Sequence, residues 1–180
     1  MKQHLHLREL INRLARLDAS SAWVGDLNPT QRAVLGYLSR ANRFSRSPSH
    51  VAEYLGSTRG TVSQTFKSLV QKGYVTEKRS AQDKRVVSFD LTKRGIDAIT
   101  HDSPLEDGLA ALNSEQLDGL QQGLTSALET IIAQNDGRSF GQCHTCVHHE
   151  PRPTGGYCNL LSIALKAEET TQICHEQERR

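Results

Sequence analysis

The chain has 180 residues, 36% apolar and 5% aromatic, enough for one helical domain with an appendage but not for two large domains. No run approaches the roughly 18 consecutive apolar residues of a membrane span, and the opening MKQHLHLRELINRL is charged throughout, unlike a secretory leader. A cytoplasmic protein is expected. The net charge of +2 hides an imbalance: Asn28 to Gly95 holds 13 Lys/Arg against 4 Asp/Glu, and Ile96 to Arg180 holds 5 against 13. A basic module followed by an acidic one points to a polyanionic partner for the first only.

Leu7, Leu10, Ile11, Leu14 and Leu17 recur at helical spacing and predict an amphipathic helix ending near Leu17. Asn28 followed by Pro29 reads as a cap and first helical position, for a helix running to about Arg40. Ser47-Pro48 repeats that signal before a short helix, His50 to Leu55, which Gly56 ends. Ser57 or Thr58 then caps a helix that runs to Lys72 and stops at Gly73. Two β-leaning runs follow, Tyr74–Lys78 and Arg85–Phe89, joined by the polar turn RSAQDK. Thr92 starts another helix, and Ser103-Pro104 kinks or restarts it. Asn113 or Ser114 caps a long last helix with Leu117, Leu120, Leu124, Leu128, Ile131 and Ile132 in one stripe, ending near Asn135-Asp136-Gly137.

Helix, short helix, turn, longer helix and hairpin follow one another in the order of a winged helix-turn-helix, whose second helix enters the major groove. In TRGTVSQTFKSLVQKG, Val62, Phe66, Leu69 and Val70 are expected in the core. Arg59, Gly60, Thr61, Ser63, Gln64 and Lys67 are the candidate DNA contacts. That outer face carries no carboxylate to repel phosphate. Gln64 can pair bidentately with adenine, and Gly60 lets the backbone approach closely. At the hairpin tip, Lys78, Arg79, Lys84 and Arg85 suit a wing lying along the duplex backbone.

The run DKRVVSFDLTKRG, Asp83 to Gly95, resembles the wing-to-helix signature of the MarR family: Asp-x-Arg, five residues, then Leu-Thr-x-x-Gly. STRGTVSQTFKSLVQKGYV resembles that family's recognition helix and its step into the wing. The resemblance spans roughly residues 5–135. It implies Arg85 as a minor-groove arginine oriented by Asp83, a homodimer whose first and last helices intertwine, and a palindromic double-stranded operator. The leucine stripes support the dimer independently, being too long for a small monomer to cover. Pro104 and Gly108 depart from the family's long connecting helix and put the relative placing of the DNA-binding and dimerisation parts in question.

The expected fold is mainly α with a small β-hairpin wing. Residues 1–27 and 96–136 form the helical dimerisation region, 28–95 the winged helix-turn-helix, and 137–180 a cysteine-rich, metal-binding tail. All four cysteines lie in that tail, as C-H-T-C at Cys143 and Cys146, then Cys158 and Cys174. In a reducing cytosol such clustering reads as metal or redox chemistry rather than structural disulfides. One knuckle and two lone cysteines approach the spacing of high-potential iron–sulfur proteins, whose [4Fe–4S] cubane meets its ligands at separate corners. Structural zinc, which favours two knuckles, and metal-free redox thiols stay open. The tail is expected as loops plus a short helix, Leu160 to Glu169, tied by the metal onto the long last helix. His144, His148, His149 and His175 read as exposed or as neighbours of the ligands, with a Cys3His site as the sharper alternative. His4, His6, His50 and His101 carry no signal. Ordinary members of the family lack such a tail, so the resemblance does not bear on it.

The expected function is a sequence-specific DNA-binding transcriptional repressor, tuned by an iron–sulfur cluster that senses redox state, oxygen or iron. The alternative is a regulator answering a small phenolic or aromatic effector, with a structural zinc tail. An electron-transfer protein is a third class. No G-x-G-x-x-G, P-loop or nucleophile–base constellation points to an enzyme.

Overall fold

Six helices begin where a polar side chain meets an orphan backbone donor. Asn28 caps through Gln31 N–H, Ser47 through His50, Thr58 through Thr61, Thr92 through Gly95, Ser103 through Glu106 and Asn113 through Gln116. The computed structural model describes residues 2–23, 25–79, 87–99, 103–135 and 137–179. Its helices are α1 (Gln3–Ser21), α2 (Pro29–Arg40), α3 (Pro48–Tyr54), α4 (Arg59–Gln71), α5 (Lys93–Asp97), α6 (Pro104–Ala110), α7 (Ser114–Gln134) and α8 (Ala167–Thr170). Its strands are β1 (Val75–Arg79), β2 (Val87–Leu91), β3 (Gly141–Gln142), β4 (His149–Arg152), β5 (Gly155–Cys158), β6 (Ile163–Leu165) and β7 (Ile173–Cys174).

The core sits beneath α2, α3 and α4. Val34, Leu35, Tyr37 and Leu38 from α2 meet Val51 and Ala52 from α3 and Val62, Phe66 and Leu69 from α4. Phe66 stacks on Phe89 of β2 with ring centroids 4.0 Å apart, which seats the hairpin against α4. Gln31, itself buried, donates from Nε2 to Ser68 Oγ at 2.9 Å and accepts from Lys72 Nζ at 3.1 Å, pinning α4 to α2. Val70 is exposed and does not join the core as the spacing predicted. It lies one residue beyond Leu69 and so turns off the buried face.

β1 and β2 pair antiparallel from Val75 opposite Leu91 to Arg79 opposite Val87. Among the described residues the second strand runs to Leu91, two residues past the Phe89 end that its composition suggested. The Leu-Thr-x-x-Gly run explains itself here. Thr92 donates from N and Oγ1 to Tyr74 O, at 3.0 and 3.1 Å, while Oγ1 also caps α5. Gly95 then passes so close to that carbonyl that a Cβ would stand 2.2 Å from it. Arg94 stacks over the Tyr74 ring at 4.3 Å and donates to Lys72 O at 2.8 Å, a structural rather than a DNA-facing role.

Ser103-Pro104 restarts the helix as α6, as expected, although α5 already ends at Asp97. α1 packs on α6, yet Leu7, Leu10, Ile11, Leu14 and Leu17 of α1 stay 43–53% exposed. Leu120, Leu124, Leu128 and Ile131 of α7 stay 40–57% exposed. α1 itself runs to Ser21, one turn beyond the predicted end.

The tail differs most from expectation. It is not loops with a helix over Leu160–Glu169 but a three-stranded antiparallel meander, β4-β5-β6, beside a two-stranded pair, β3-β7. α8 holds only the end of the predicted helix. Gly155, at φ +131°, makes the β4–β5 turn possible, since a Cβ there would stand 2.3 Å from Leu165 O. Nor does the tail attach chiefly to α7. Phe140 wedges against Tyr54 and Tyr37, with centroids 5.4 and 6.5 Å away, and Ile173 enters the main core. α7 contributes an ion pair between Glu129 and Arg179.

Candidate nucleic-acid interface and thiol centre

α4 presents Arg59, Gly60, Thr61, Ser63, Gln64 and Lys67 to solvent, the six exposed residues predicted for its outer face. Two details show how that face is built. Thr61 Oγ1 lies 2.8 Å from Thr58 Oγ1, so the capping side chain also fixes the first polar group of the face. The space where Gly60 would carry a Cβ is open, with only Thr58 Oγ1 within 4 Å, at 3.9 Å. Packing does not require glycine there, whereas close approach of a duplex would use it.

The wing stem is more committed than its charge suggested. Lys78 pairs with Asp90, Arg46 reaches the same carboxylate at 2.7 Å, and Arg79 pairs with Glu77 at 2.7 Å. Partial burial pushes the Asp90 carboxyl up, but the Lys78 and Arg46 hydrogen bonds outweigh it and hold the group below its ordinary value. Lys78 and Arg79 thus enter carboxylate pairs within the wing stem. Asp83, Lys84 and Arg85 lie outside the described residues.

Between α1, α2 and α6 runs a groove of about 550 Å³, lined by Ala15, Asp18, Arg32, Gly36, Ile99 and Leu105 among others. It stands at the junction of the helix-turn-helix and the outer helices.

The four cysteines, spread from Cys143 to Cys174, line one small cavity with Leu160, Leu165, His148, His149 and Glu176. The 3₁₀ turn Cys143–Thr145, which follows β3, begins on Cys143 and is capped by Cys146, while β5 ends on Cys158 and β7 on Cys174. None is in a disulfide, and Cys143, Cys146 and Cys174 are buried. Two sulfurs accept from N–H donors: Cys143 from Asn42 Nδ2 and Cys146 from the Glu178 backbone, each at 3.4 Å. The Cys143 thiol also hydrogen-bonds Cys174, which pulls Cys174 below the ordinary thiol range and pushes Cys143 above it. Among the described residues, no group of three or more His, Cys, Asp or Glu side chains is arranged to hold a metal ion.

The tail histidines divide. His144 Nδ1 lies 3.1 Å from Thr170 O, and His148 faces Glu178 at 3.4 Å. His175 stacks on His50 of α3, ring centroids 3.6 Å apart. Sequence reasoning passed over His50, and it missed Asn42 and Ser45, both wholly buried at the α2–α3 corner. A buried Asn or Ser in a polar loop leaves no periodic signal; only the partner that covers it reveals it.

Core, hairpin and exposed helix face together define a winged helix-turn-helix. Residues 25–86 match the family model described as "MarR family". Solved structures with this fold include a DNA complex of Staphylococcus aureus MepR, at 22% identity and TM-score 0.59, covering 72% of this chain and 98% of that one. A DNA complex of Streptococcus pneumoniae FabT follows at 24% and 0.55, covering 73% and 96%. MepR described as a transcription regulator of the S. aureus multidrug efflux pump MepA follows at 19% and 0.53, covering 73% and 99%. No curated protein matches the chain.

Proposed function

We propose that this chain is a MarR-type transcriptional repressor that binds a palindromic operator as a homodimer, and that its four tail cysteines hold an iron–sulfur cluster reporting redox state, oxygen or iron. The observation that carries the DNA reading is the outer face of α4: six exposed small, polar or cationic residues, no carboxylate, and a glycine that packing does not require. MepR and FabT, which share the fold, were each solved on DNA. The apolar stripes of α1 and α7 supply the dimer surface, and two half-sites about one helical turn apart follow from twofold symmetry.

For the tail, the cluster reading rests on the spacing of one C-x-x-C knuckle and two lone cysteines. A cubane meets its thiolates at separate corners, from separate loops, and N–H donors to the sulfurs tune it. The four thiols here come from three segments, the Cys143–Cys146 turn, β5 and β7, around one cavity with two leucine walls, and Cys143 and Cys146 accept N–H bonds. The effector alternative draws on the groove between α1, α2 and α6, which is large enough for a small aromatic molecule.

Selection from a random duplex pool tests the DNA reading. A palindromic site is expected, and Gln64→Ala should relax preference at one base position per half-site for about 1–3 kcal/mol. Enrichment no better than chance would overturn it. Purification without oxygen, followed by iron and acid-labile sulfide assays, tests the cluster; a colourless protein holding zinc would replace it by the effector alternative.

A further inference from the structure

The corner between α2 and α3, Ala41 to Ser47, is polar enough to lie in solvent, as most such connections do. Instead Ala41, Asn42 and Ser45 are wholly buried, because the tail covers them. Asn42 N–H donates to Ile173 O at 2.9 Å, and Ala41 bridges the same residue in parallel. Arg43 reaches across to Glu169 at 2.6 Å and to Ala164 O at 3.2 Å. The thiol centre is therefore seated on the helix-turn-helix itself.

The polar atoms of that seat are used in a definite way. Asn42 Oδ1 accepts from Phe44 N–H at 3.1 Å and from the Ser45 hydroxyl at 2.7 Å. Those two donors fix which end of the amide is oxygen and leave the NH₂ facing Cys143 Sγ. Ser45 Oγ in turn accepts the backbone N–H of His175, next to Cys174, at 3.0 Å. Ser45 O accepts from the Tyr37 hydroxyl at 2.8 Å, anchoring the same residue to α2. His175 lays its ring on His50 of α3. Two of the four thiols thus reach α2 and α3 through short, buried links, and α3 packs directly on α4.

We propose that Asn42, Ser45 and His50 are positioning residues that join the Cys143 and Cys174 end of the thiol centre to α3, so that loading or loss of its cluster resets the pose of α4 within each subunit. This rests on the cluster reading of the four cysteines. A cluster fixes Cys143 and Cys174 relative to each other and adds negative charge where the Asn42 N–H points. Without it, β3 and β7 lose that cross-link, and the Ser45–His175 and His50–His175 contacts lose their anchor. The corner then relaxes at the start of α3, the helix on which α4 is packed.

The test uses the full-length protein, reconstituted without oxygen from ferrous iron and sulfide and compared with chelator-stripped protein. Wild type should hold iron and sulfide, and its operator affinity should differ roughly 5- to 150-fold between the two forms. Ser45→Ala and His50→Ala should keep iron and sulfide while that ratio falls below twofold. Asn42→Asp keeps the acceptor for Phe44 and Ser45 but removes the N–H to Cys143. It should retain the native circular dichroism spectrum and shift the Fe–S stretching frequencies in resonance Raman. Variants that hold the cluster and keep the wild-type ratio overturn the inference and leave the cluster reading standing. Wild type without iron or sulfide overturns the cluster reading and this inference with it. His50→Ala, which only truncates a ring on α3, keeps the test decisive if Ser45→Ala fails to fold.

Discussion

Replacing Gly95 by alanine should destabilise the DNA-binding module, although alanine is the better helix former. Two opposing effects set the magnitude. In a helix such as α5 the change gains roughly 0.5–1 kcal/mol from lower backbone entropy and better propensity. Against that, the new Cβ would stand 2.2 Å from Tyr74 O and 3.2 Å from Leu91 Cδ2. The carbonyl cannot retreat freely, because it accepts two hydrogen bonds from Thr92 and lies at the root of β1. Overpacking against such a neighbour costs about 1–3 kcal/mol, and a backbone contact belongs at the upper end. The net expectation is a loss of about 1–2 kcal/mol, or a drop of roughly 2–8 °C in Tm for a chain of this size. Gly108→Ala serves as control, since nothing lies within 4 Å of its Cβ position, and it should be neutral or stabilising. Urea unfolding followed by circular dichroism would measure both, with unchanged m-values as the condition for comparison. Gly95→Ala at least as stable as wild type would refute the view that the Leu-Thr-x-x-Gly signature is a packing device.

Leu124→Glu in α7 should give a monomer by sedimentation at micromolar concentration and abolish operator binding, since one half-site alone is too weak; an intact dimer would remove α7 from the interface. Asp90→Asn should leave stability near neutral pH only slightly lower but flatten its decline in acid. The carboxylate is held below its ordinary 3.8, so its contribution is present above that pH and lost as pH falls through the lowered value; an acid limb identical to wild type would show that Lys78 and Arg46 gain nothing from Asp90.

The legible parts of the sequence were those ruled by local physics. Asn28-Pro29, Ser47-Pro48 and Ser103-Pro104 each combine an oxygen cap with a residue preset for the first helical turn, and each starts a helix in the structure. The polar face of α4 followed from period alone, because Val62, Phe66 and Leu69 had to turn inward. β2 runs two residues past its expected end because its register answers to Val75 opposite Leu91 and to the Phe66–Phe89 stack, both long-range facts. The tail was misjudged for a related reason. Its strands are two to four residues long and rich in Gly, Pro and His, so neither alternation nor propensity marks them. That the four cysteines face one cavity was visible in their clustering; that the cavity sits on α2 and α3 was not.

That seat changes where a signal from the tail would act. Anchored to α7 alone, the tail would tune DNA binding by altering the spacing of two recognition helices, through the dimer interface. Docked at the α2–α3 corner, it would act inside one subunit, on the helix that supports α4. Phe140 against Tyr54, Arg138 beside Glu53 at 3.6 Å and His175 on His50 all place the tail against α3 itself. α3 has only seven residues, too few to be stable by propensity, so its position is set by what packs on it. A short helix held between the tail on one side and α4 on the other passes a small displacement on, because close-packed side chains do not absorb it. The two routes separate cleanly in experiment. A monomeric Leu124→Glu protein should still show cluster-dependent protection of α4 amides in hydrogen exchange if the tail acts within the subunit. Protection that depends on the cluster only in the dimer would return control to the α7 interface.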